Sequence, residues 1–312
     1  MAKNAINRRI SVFRRLSQFD FKLLLLPKAP AGITIIMKRF LYYLLPVPVR
    51  LFARRLYYLP FDIFDTLSGK RPYGVPPRGM IFIGPGDYVK LGEKFLVYFR
   101  DLAGLKPDDA VLDIGCGIGR MALPLTGYLS YKGSYEGFDI VNSGIDWCNK
   151  HIAGRYPNFR FRYTGMYNQL YNTSDKVDAG NFRFPYPDKS FDFVFLTSVF
   201  THMLPVEVEN YLNEIGRVMK PGSKCLMSFF IVNCESEDLM IKQPTHMNFP
   251  INKGFYRLHS SMVDTANVAY DEEWLLEKLE NAGLKMETIK YGQWCGRHLY
   301  FDYQDLVICC KE

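Results

Sequence analysis

The feature that most constrains the fold is the ten-residue run VLDIGCGIGR, Val111–Arg120. Its apolar start, Ala110–Ile114, reads as a short strand. The glycines that follow, Gly115, Gly117 and Gly119, let the backbone turn tightly and let a ligand approach it closely. From this point the chain alternates. Strands are expected at Ser134–Ile140, Phe159–Gly165, Phe191–Thr197 and Cys225–Val232, with a last pair near 285–292 and 303–310. Helices are expected after the glycines through about 129, at Ser143–Gly154, at Pro205–Met219 and at Asp271–Ala282. The run FDFVFLT at Phe191–Thr197 is apolar almost throughout, as a strand covered on both faces should be. Strands alternating with helices predict an α/β fold with a doubly wound, mostly parallel sheet. The last two strands are joined by a loop without a helix, so the last strand should run antiparallel.

A glycine loop after a strand does not by itself name a nucleotide. Shifted by two residues, Gly117, Gly119 and Ala122 match G-x-G-x-x-A, and Asp139 lies 20 residues past Gly119. That is the pattern of a nicotinamide-dependent oxidoreductase. Asp113 argues against it. A carboxylate at the strand end, facing the ligand crevice, repels a pyrophosphate and attracts an ammonium group. S-adenosylmethionine has an ammonium and no phosphate. Asp139, at the end of the second strand, can accept both ribose hydroxyls. Two acids at the first two strand ends describe a nucleoside with a cationic amino-acid tail.

With these residues the chain resembles a known family. The sequences D-I-G-C-G-I-G at 113–119, F-D-I at 138–140, F-P-Y-P-D-K-S-F-D-F-V at 184–194 and R-V-M-K-P-G at 217–222 occur in the order and spacing of class I S-adenosylmethionine-dependent methyltransferases. They look most like the broad group called type 11. The resemblance covers about 105–312. It implies a seven-stranded, Rossmann-like sheet with an antiparallel last strand, and S-adenosylmethionine as cofactor. By position, Asp113 and the loop Gly115, Cys116, Gly117 and Gly119 would hold the methionine part. Asp139 would hold the ribose and Ile140 would flank the adenine. Segments before the core often fold over the cofactor in this family, which gives that role to Tyr88. The last motif departs from the family at Pro221-Gly222-Ser223. An extra stretch, Tyr167–Arg183, displaces the usual adenine-edge acid, leaving Asp178 and Asn181 as candidates.

Methyl transfer to a hydroxyl needs alignment and a base with a pKa near the working pH. His202 is the candidate, since it follows the fourth strand, whose end at Thr197 faces the same crevice; a structural histidine that caps the next helix or bonds a backbone carbonyl is the alternative. His246 and His259 lie in 233–270, read as a long polar insertion that falls where family members build an acceptor lid. No N-P-P-Y-type tetrapeptide follows the fourth strand, which weakens amino-methylation of nucleic-acid bases. Aromatic residues make up 15% of the chain, more flat apolar surface than a core needs. A small-molecule, lipid or lipid-linked sugar acceptor is therefore expected, methylated on oxygen. A nicotinamide oxidoreductase and a non-catalytic S-adenosylmethionine-binding scaffold are the alternatives.

Charge divides the chain again. The net charge is +7, yet residues 1–60 hold twelve basic residues against Asp20 alone, leaving −4 for the rest. Clustered Leu, Ile, Phe and Tyr lie between those charges, so residues 1–68 read as a basic amphipathic helical arm. An anionic membrane surface, a helical cap packed on the body, or nucleic acid could receive it, and nucleic acid fits worst. Residues 69–104 read as a Gly- and Pro-rich loop with a helix before the core, and 105–312 as the methyltransferase domain. Seven cysteines without a C-x-x-C pair fit a reducing cytosol and no zinc site. The expected location is cytoplasmic, peripheral on the inner membrane face, with no metal.

Overall fold

The computed structural model describes residues 45–242 and 247–312, which fall in two compact units. Residues 1–44 of the arm and His246 lie outside the described residues. The described part of the first unit is helix α1 (Val47–Leu67) with a short turn at Arg78–Met80. Pro48 stands in the first turn of α1, where a missing N–H is harmless because that group has no intrahelical partner. Val49, Phe52, Leu56, Leu59, Ile63 and Leu67 recur every three or four residues, so they share one face, and all are exposed. Elsewhere on the helix, Asp62 accepts the backbone N–H groups of Arg78 at 2.6 Å and Gly79 at 3.0 Å. Asp65 pairs with Arg78 at 2.8 Å. Both acids of α1 are thus engaged by the turn, and its other charges are Arg50, Arg54 and Arg55. No described helix is long and apolar enough to cross a membrane.

The second unit holds the sheet. After helix α2 (Tyr88–Asp101) come β1 (Ala110–Ile114), the single-turn α3 (Ala122–Leu125), β2 (Ser134–Asp139), α4 (Asn142–Cys148), β3 (Phe159–Tyr163) and β4 (Phe191–Leu196). Then follow α5 (Pro205–Val218), β5 (Met219–Phe229), β6 (Ile231–Val232), α6 (Cys234–Lys242), β7 (Ile251–Asn252), β8 (Tyr256–Leu258) and β9 (Val268–Asp271). The chain closes with α7 (Glu272–Asn281), β10 (Leu284–Lys290) and β11 (Asp305–Lys311). The main sheet has seven strands in the order β10-β11-β5-β4-β1-β2-β3. Only β11 runs against its neighbours. The expected doubly wound sheet with an antiparallel last strand is what the chain adopts.

The apolar run of β4 is explained by its neighbours. Val194 and Leu196 face a core built with α5 and α7, while Phe193 and Phe195 face one built with α2 and α4. Phe99 of α2 brings its ring within 4.2 Å of Phe195 and 5.5 Å of Phe193, centroid to centroid.

Three expectations are corrected. The helix after the glycine loop does not run to 129: only Ala122–Leu125 is helical and turns follow, in a segment where Pro124 lacks a backbone donor. The fifth strand does not run through to Val232: it breaks at Phe230, and Ile231–Val232 joins a second sheet of order β6-β9-β8-β7. The cause is Asp305, whose carboxylate takes the Ile231 N–H at 2.7 Å. The insertion at 233–270 is not polar throughout. They carry α6 and three strands of the second sheet. With Trp294 and Cys295 they enclose a separate core around Phe230, Met240, Phe249 and Ala269.

Candidate active site

A cavity of about 850 Å³ opens at the carboxyl ends of β1, β2 and β4, where a parallel sheet exposes backbone ends and the strand order reverses. Asp113 lies in its wall, at the end of β1, and is 1% exposed. The Tyr135 hydroxyl donates to it at 2.5 Å. Burial pushes the Asp113 carboxyl up to about 8; the Tyr135 bond opposes this and the nearby Asp139 adds to it. Such a group needs a cation to hold its charge. Asp139 ends β2, and its carboxylate accepts the N–H of Gly117 at 2.8 Å and of Val141 at 2.8 Å. Burial raises it to about 6 against those bonds. The acid at the second strand end therefore fastens the glycine loop, and its remaining lone pairs face the cavity it lines.

The loop itself needs glycine for backbone reasons. Gly115 and Gly117 have φ of 77° and 60°, the left-handed region where a Cβ is strained. A Cβ on Gly115 would also stand 2.4 Å from a methyl of Val199.

The structure brings Asp113, Gly115, Cys116, Gly117, Asp139, Ile140, Thr197 and His202 together around the cavity. It does not bring the other site residues of the sequence reading there. Tyr88 is buried, and its hydroxyl donates to the Ile118 carbonyl at 2.9 Å. It props the glycine loop from behind instead of covering a cofactor. That covering position falls to Phe82, Ile83 and Gly84. Gly119 packs towards Ile152 and Cys148. Asn181 is exposed and bonds Asp178 at 2.8 Å, while Asp178 caps the turn through the Gly180 N–H. The intervening stretch is pinched at its base by a bridge between Met166 and Val177, so Met166 and Ala179 reach the cavity in their place. His259 bonds the Asn248 carbonyl at 2.6 Å and does not line the cavity.

His202 lines the cavity, as do Met166, Tyr171, Met203, Tyr211 and Phe230, and its ring meets Tyr171 edge-on at 5.7 Å. Its Nδ1 lies 3.0 Å from the Thr265 carbonyl oxygen. A carbonyl only accepts, so in the neutral ring Nδ1 carries the hydrogen and Nε2 the lone pair. Burial holds the imidazole below its ordinary pKa, against the pull of the Thr265 and Ala266 carbonyls. It is neutral at pH 7. Glu207 was missed in sequence and also lines the cavity; its carboxylate takes the Leu204 N–H at 2.5 Å. The second sheet covers His202 from 63 residues away, a contact no local spacing announces. Arg120 was within the glycine motif but received no role. It too lines the cavity.

Residues 112–227 match the family described as a methyltransferase domain. This segment is a class I methyltransferase domain. Its cofactor is S-adenosylmethionine, and the nicotinamide alternative is set aside. The chain is 31% identical over 128 residues to the sterol 24-C-methyltransferase ERG6B of Gibberella zeae, covering 40% of this chain and 28% of that one. It is 24% identical over 148 residues to a 2-phytyl-1,4-naphtoquinone methyltransferase of Nostoc, 46% and 57%. It is 24% identical over 143 residues to the tRNA N(3)-cytidine methyltransferase METTL2 of Gallus gallus, 43% and 34%. The chain thus spans between 28% and 57% of the length of these relatives. The crystal structure of the PH0226 protein from Pyrococcus horikoshii shares the fold at a TM-score of 0.51 and 17% identity, over 75% of this chain and 95% of that one.

The methyltransferase domain's own residues fit the cofactor. A buried carboxylate raised to about 8 suits the ammonium of an amino-acid tail, and a second at about 6 suits hydroxyl donors.

Proposed function

We propose that this protein is an S-adenosylmethionine-dependent methyltransferase that methylates oxygen on a bulky, mostly apolar acceptor of lipid, quinone or lipid-linked sugar type. The observation that carries the reading is His202, neutral, with its tautomer set by the Thr265 carbonyl, in a cavity wall otherwise rich in aromatic and methionine side chains. Sterol and quinone substrates in the names of two relatives support the acceptor class. When bound, S-adenosylmethionine supplies a methyl group on a positively charged sulfur. Asp113 takes the ammonium of the cofactor tail, Asp139 the ribose hydroxyls, and Ile140 packs beside the adenine. His202 Nε2 takes the acceptor's hydroxyl proton, and Nδ1–H stays on the Thr265 carbonyl. The imidazole is held in place throughout, so the proton moves with little reorganisation.

The same reading seats the protein on the inner membrane face. The exposed apolar stripe of α1, with Arg50, Arg54 and Arg55 beside it, suits an interfacial helix on anionic lipid.

The test is methyl transfer from labelled S-adenosylmethionine into lipid extracts, fractionated by polarity. His202→Ala should lower turnover roughly 10²- to 10⁴-fold while S-adenosylhomocysteine binding is unchanged. The remaining rate of wild type should fall as pH drops below the ordinary histidine range, because the imidazole then protonates. Label entering carbon, with His202→Ala at full rate, would refute the oxygen acceptor. Phe52→Glu should reduce sedimentation with anionic vesicles; equal sedimentation would refute the membrane seat.

A further inference from the structure

Three polar residues meet where β4 and β5 end and β11 begins. Ser198 follows β4, Ser228 lies near the end of β5, and Gln304 stands just before β11. Ser198 and Gln304 line the cavity. The Ser228 hydroxyl takes the Ser198 N–H at 2.7 Å and donates to Gln304 Oε1 at 2.8 Å. The Ser198 hydroxyl donates to the same Oε1 at 2.9 Å. Ser198 has a φ of 60°, a left-handed conformation that is strained in a residue with a Cβ and persists only where its surroundings hold it. Among the described non-glycine residues with positive φ, it is the one that lines the cavity. These bonds also orient the amide. Ser228 is 1% exposed, so its hydrogen needs an acceptor, and turning the amide over would leave that hydrogen without one. Oε1 therefore faces the serines. Nε2 keeps two hydrogens and has no partner among the described residues. The Lys94 ammonium, which also lines the cavity, is already paired, with Asp302 at 2.7 Å.

We propose that Gln304 is a specificity-determining residue for the methyl acceptor: its Nε2 donates to an acceptor oxygen that carries no hydrogen, of the quinone-carbonyl type. The proposal rests on the apolar-acceptor reading above and deepens it. The acids assigned to the cofactor, Asp113 and Asp139, stand at the ends of β1 and β2. In the sheet, β4, β5 and β11 lie on the other side of β1, so their ends are left to the second substrate. His202 follows β4 on that same side. It offers a lone pair to a hydroxyl, while Gln304 offers hydrogens to a lone pair. The cavity-lining residues nearest in the chain to Ser228 and Gln304 are Phe230, Tyr303 and Leu306. Beside such side chains an unused amide donor is costly, and a carbonyl oxygen removes the cost. The two serines hold the amide in one orientation before the acceptor arrives, which spares the ordering cost on binding.

The test uses the full chain with S-adenosylhomocysteine present and equilibrium dialysis of two probes. One is a para-naphthoquinone with hexyl and methyl groups on its quinone ring, fully substituted there so that it does not alkylate thiols. The other is the matching hexyl- and methyl-substituted naphthalene, which has the same outline and no oxygen. Gln304→Leu should weaken the quinone roughly 3- to 10-fold, the range for one neutral hydrogen bond, and leave the hydrocarbon unchanged. Gln304→Glu keeps an oxygen for both serines and replaces the donor by an acceptor. It should weaken the quinone at least as much as Gln304→Leu does. A Gln304 that only ties the serines predicts the reverse, with quinone affinity kept in Gln304→Glu, and that result would overturn the proposal. So would equal weakening of both probes by the two variants, or no weakening of the quinone by either. Wild type binding neither probe would overturn the apolar-acceptor reading itself, and this proposal with it.

Discussion

The two halves of the cavity are built differently. Around Asp113 and Asp139, the carboxylate contacts join residues near one another in the chain: Asp139 to Gly117 and Val141, and Asp113 to Tyr135, at separations of 22 residues or fewer; the supports of the glycine loop, Tyr88 to Ile118 and Arg120 to Gly84, span 30 and 36. Around His202 and the second sheet, the polar contacts join distant segments. His202 meets Thr265, Tyr270 reaches Phe200 and Met203, and Asp305 holds Ile231, at separations of 63 to 74 residues. The first half is set by one strand-turn-strand unit. The second exists only after the chain end has folded back over it. A cofactor common to many enzymes can be held by a local motif, while the wall around His202 depends on contacts that distant insertions create.

The comparison is sharpest at Asp305. It is fully buried, takes the N–H groups of Ile231 at 2.7 Å and Gly292 at 2.6 Å and the Trp294 indole at 2.6 Å, and pairs with the buried Arg297 at 3.2 Å. Asp305→Ala leaves the Ile231, Gly292 and Trp294 donors without their acceptor and Arg297 with only one carboxylate, Glu235, at 2.9 Å, which should cost about 3–5 kcal/mol in urea unfolding. S-adenosylhomocysteine affinity of the remaining folded protein should be unchanged; a parallel loss of affinity would mean the halves are one cooperative site. Asp113→Ala should do the opposite. We expect S-adenosylhomocysteine affinity to drop about 100-fold by calorimetry, with no loss of ligand-free stability, since the carboxylate there is strained by burial. A destabilised variant would break the contrast.

A pH series comes next. The folded pKa values of Asp113 and Asp139, about 8 and about 6, lie above the ordinary value of 3.8. The unfolded chain therefore releases these protons first. Their contribution to ligand-free stability is complete below the ordinary value and is lost as pH rises through 6 and then 8. The thermal midpoint of ligand-free protein should decline over that range, and the increment from S-adenosylhomocysteine should grow, because its ammonium favours the ionised Asp113. Differential scanning fluorimetry reads both; an increment independent of pH would remove Asp113 from the ammonium. The smallest effect belongs to Tyr270, whose hydroxyl donates to the carbonyls of Phe200 and Met203. Tyr270→Phe should cost about 1 kcal/mol and alter acceptor turnover more than cofactor binding. An effect on cofactor affinity would blur the division.

Several elements were legible in the sequence for identifiable reasons. The strand at Phe191 announced itself because both its faces are covered, so every position selects an apolar residue. Asp113 could be read because a strand end and a glycine turn leave its direction little choice. The break at Phe230 was not legible: CLMSFFIV carries no Gly, Pro, Asn or Asp, and the strand leaves the sheet because Asp305 captures Ile231. Tyr88 was misread because the resemblance places the segment before the core beside the cofactor without saying which of its side chains faces the cavity; its hydroxyl meets the Ile118 carbonyl instead. Asn181 was misread because the inserted stretch closes on itself through Met166 and Val177, which resets the spacing.

By itself the sequence determined where the backbone must turn left-handed, which acids stand at the strand ends and which strands lie buried, since these follow from local sterics and from period. Only the tertiary structure decided which nitrogen of His202 bears the proton, that Lys94 has a counter-ion and Arg120 has none among the described residues, and that a run read as a polar insertion encloses a core. Those properties depend on what lies opposite a side chain, and the neighbours come from segments far along the chain whose meeting no local pattern encodes.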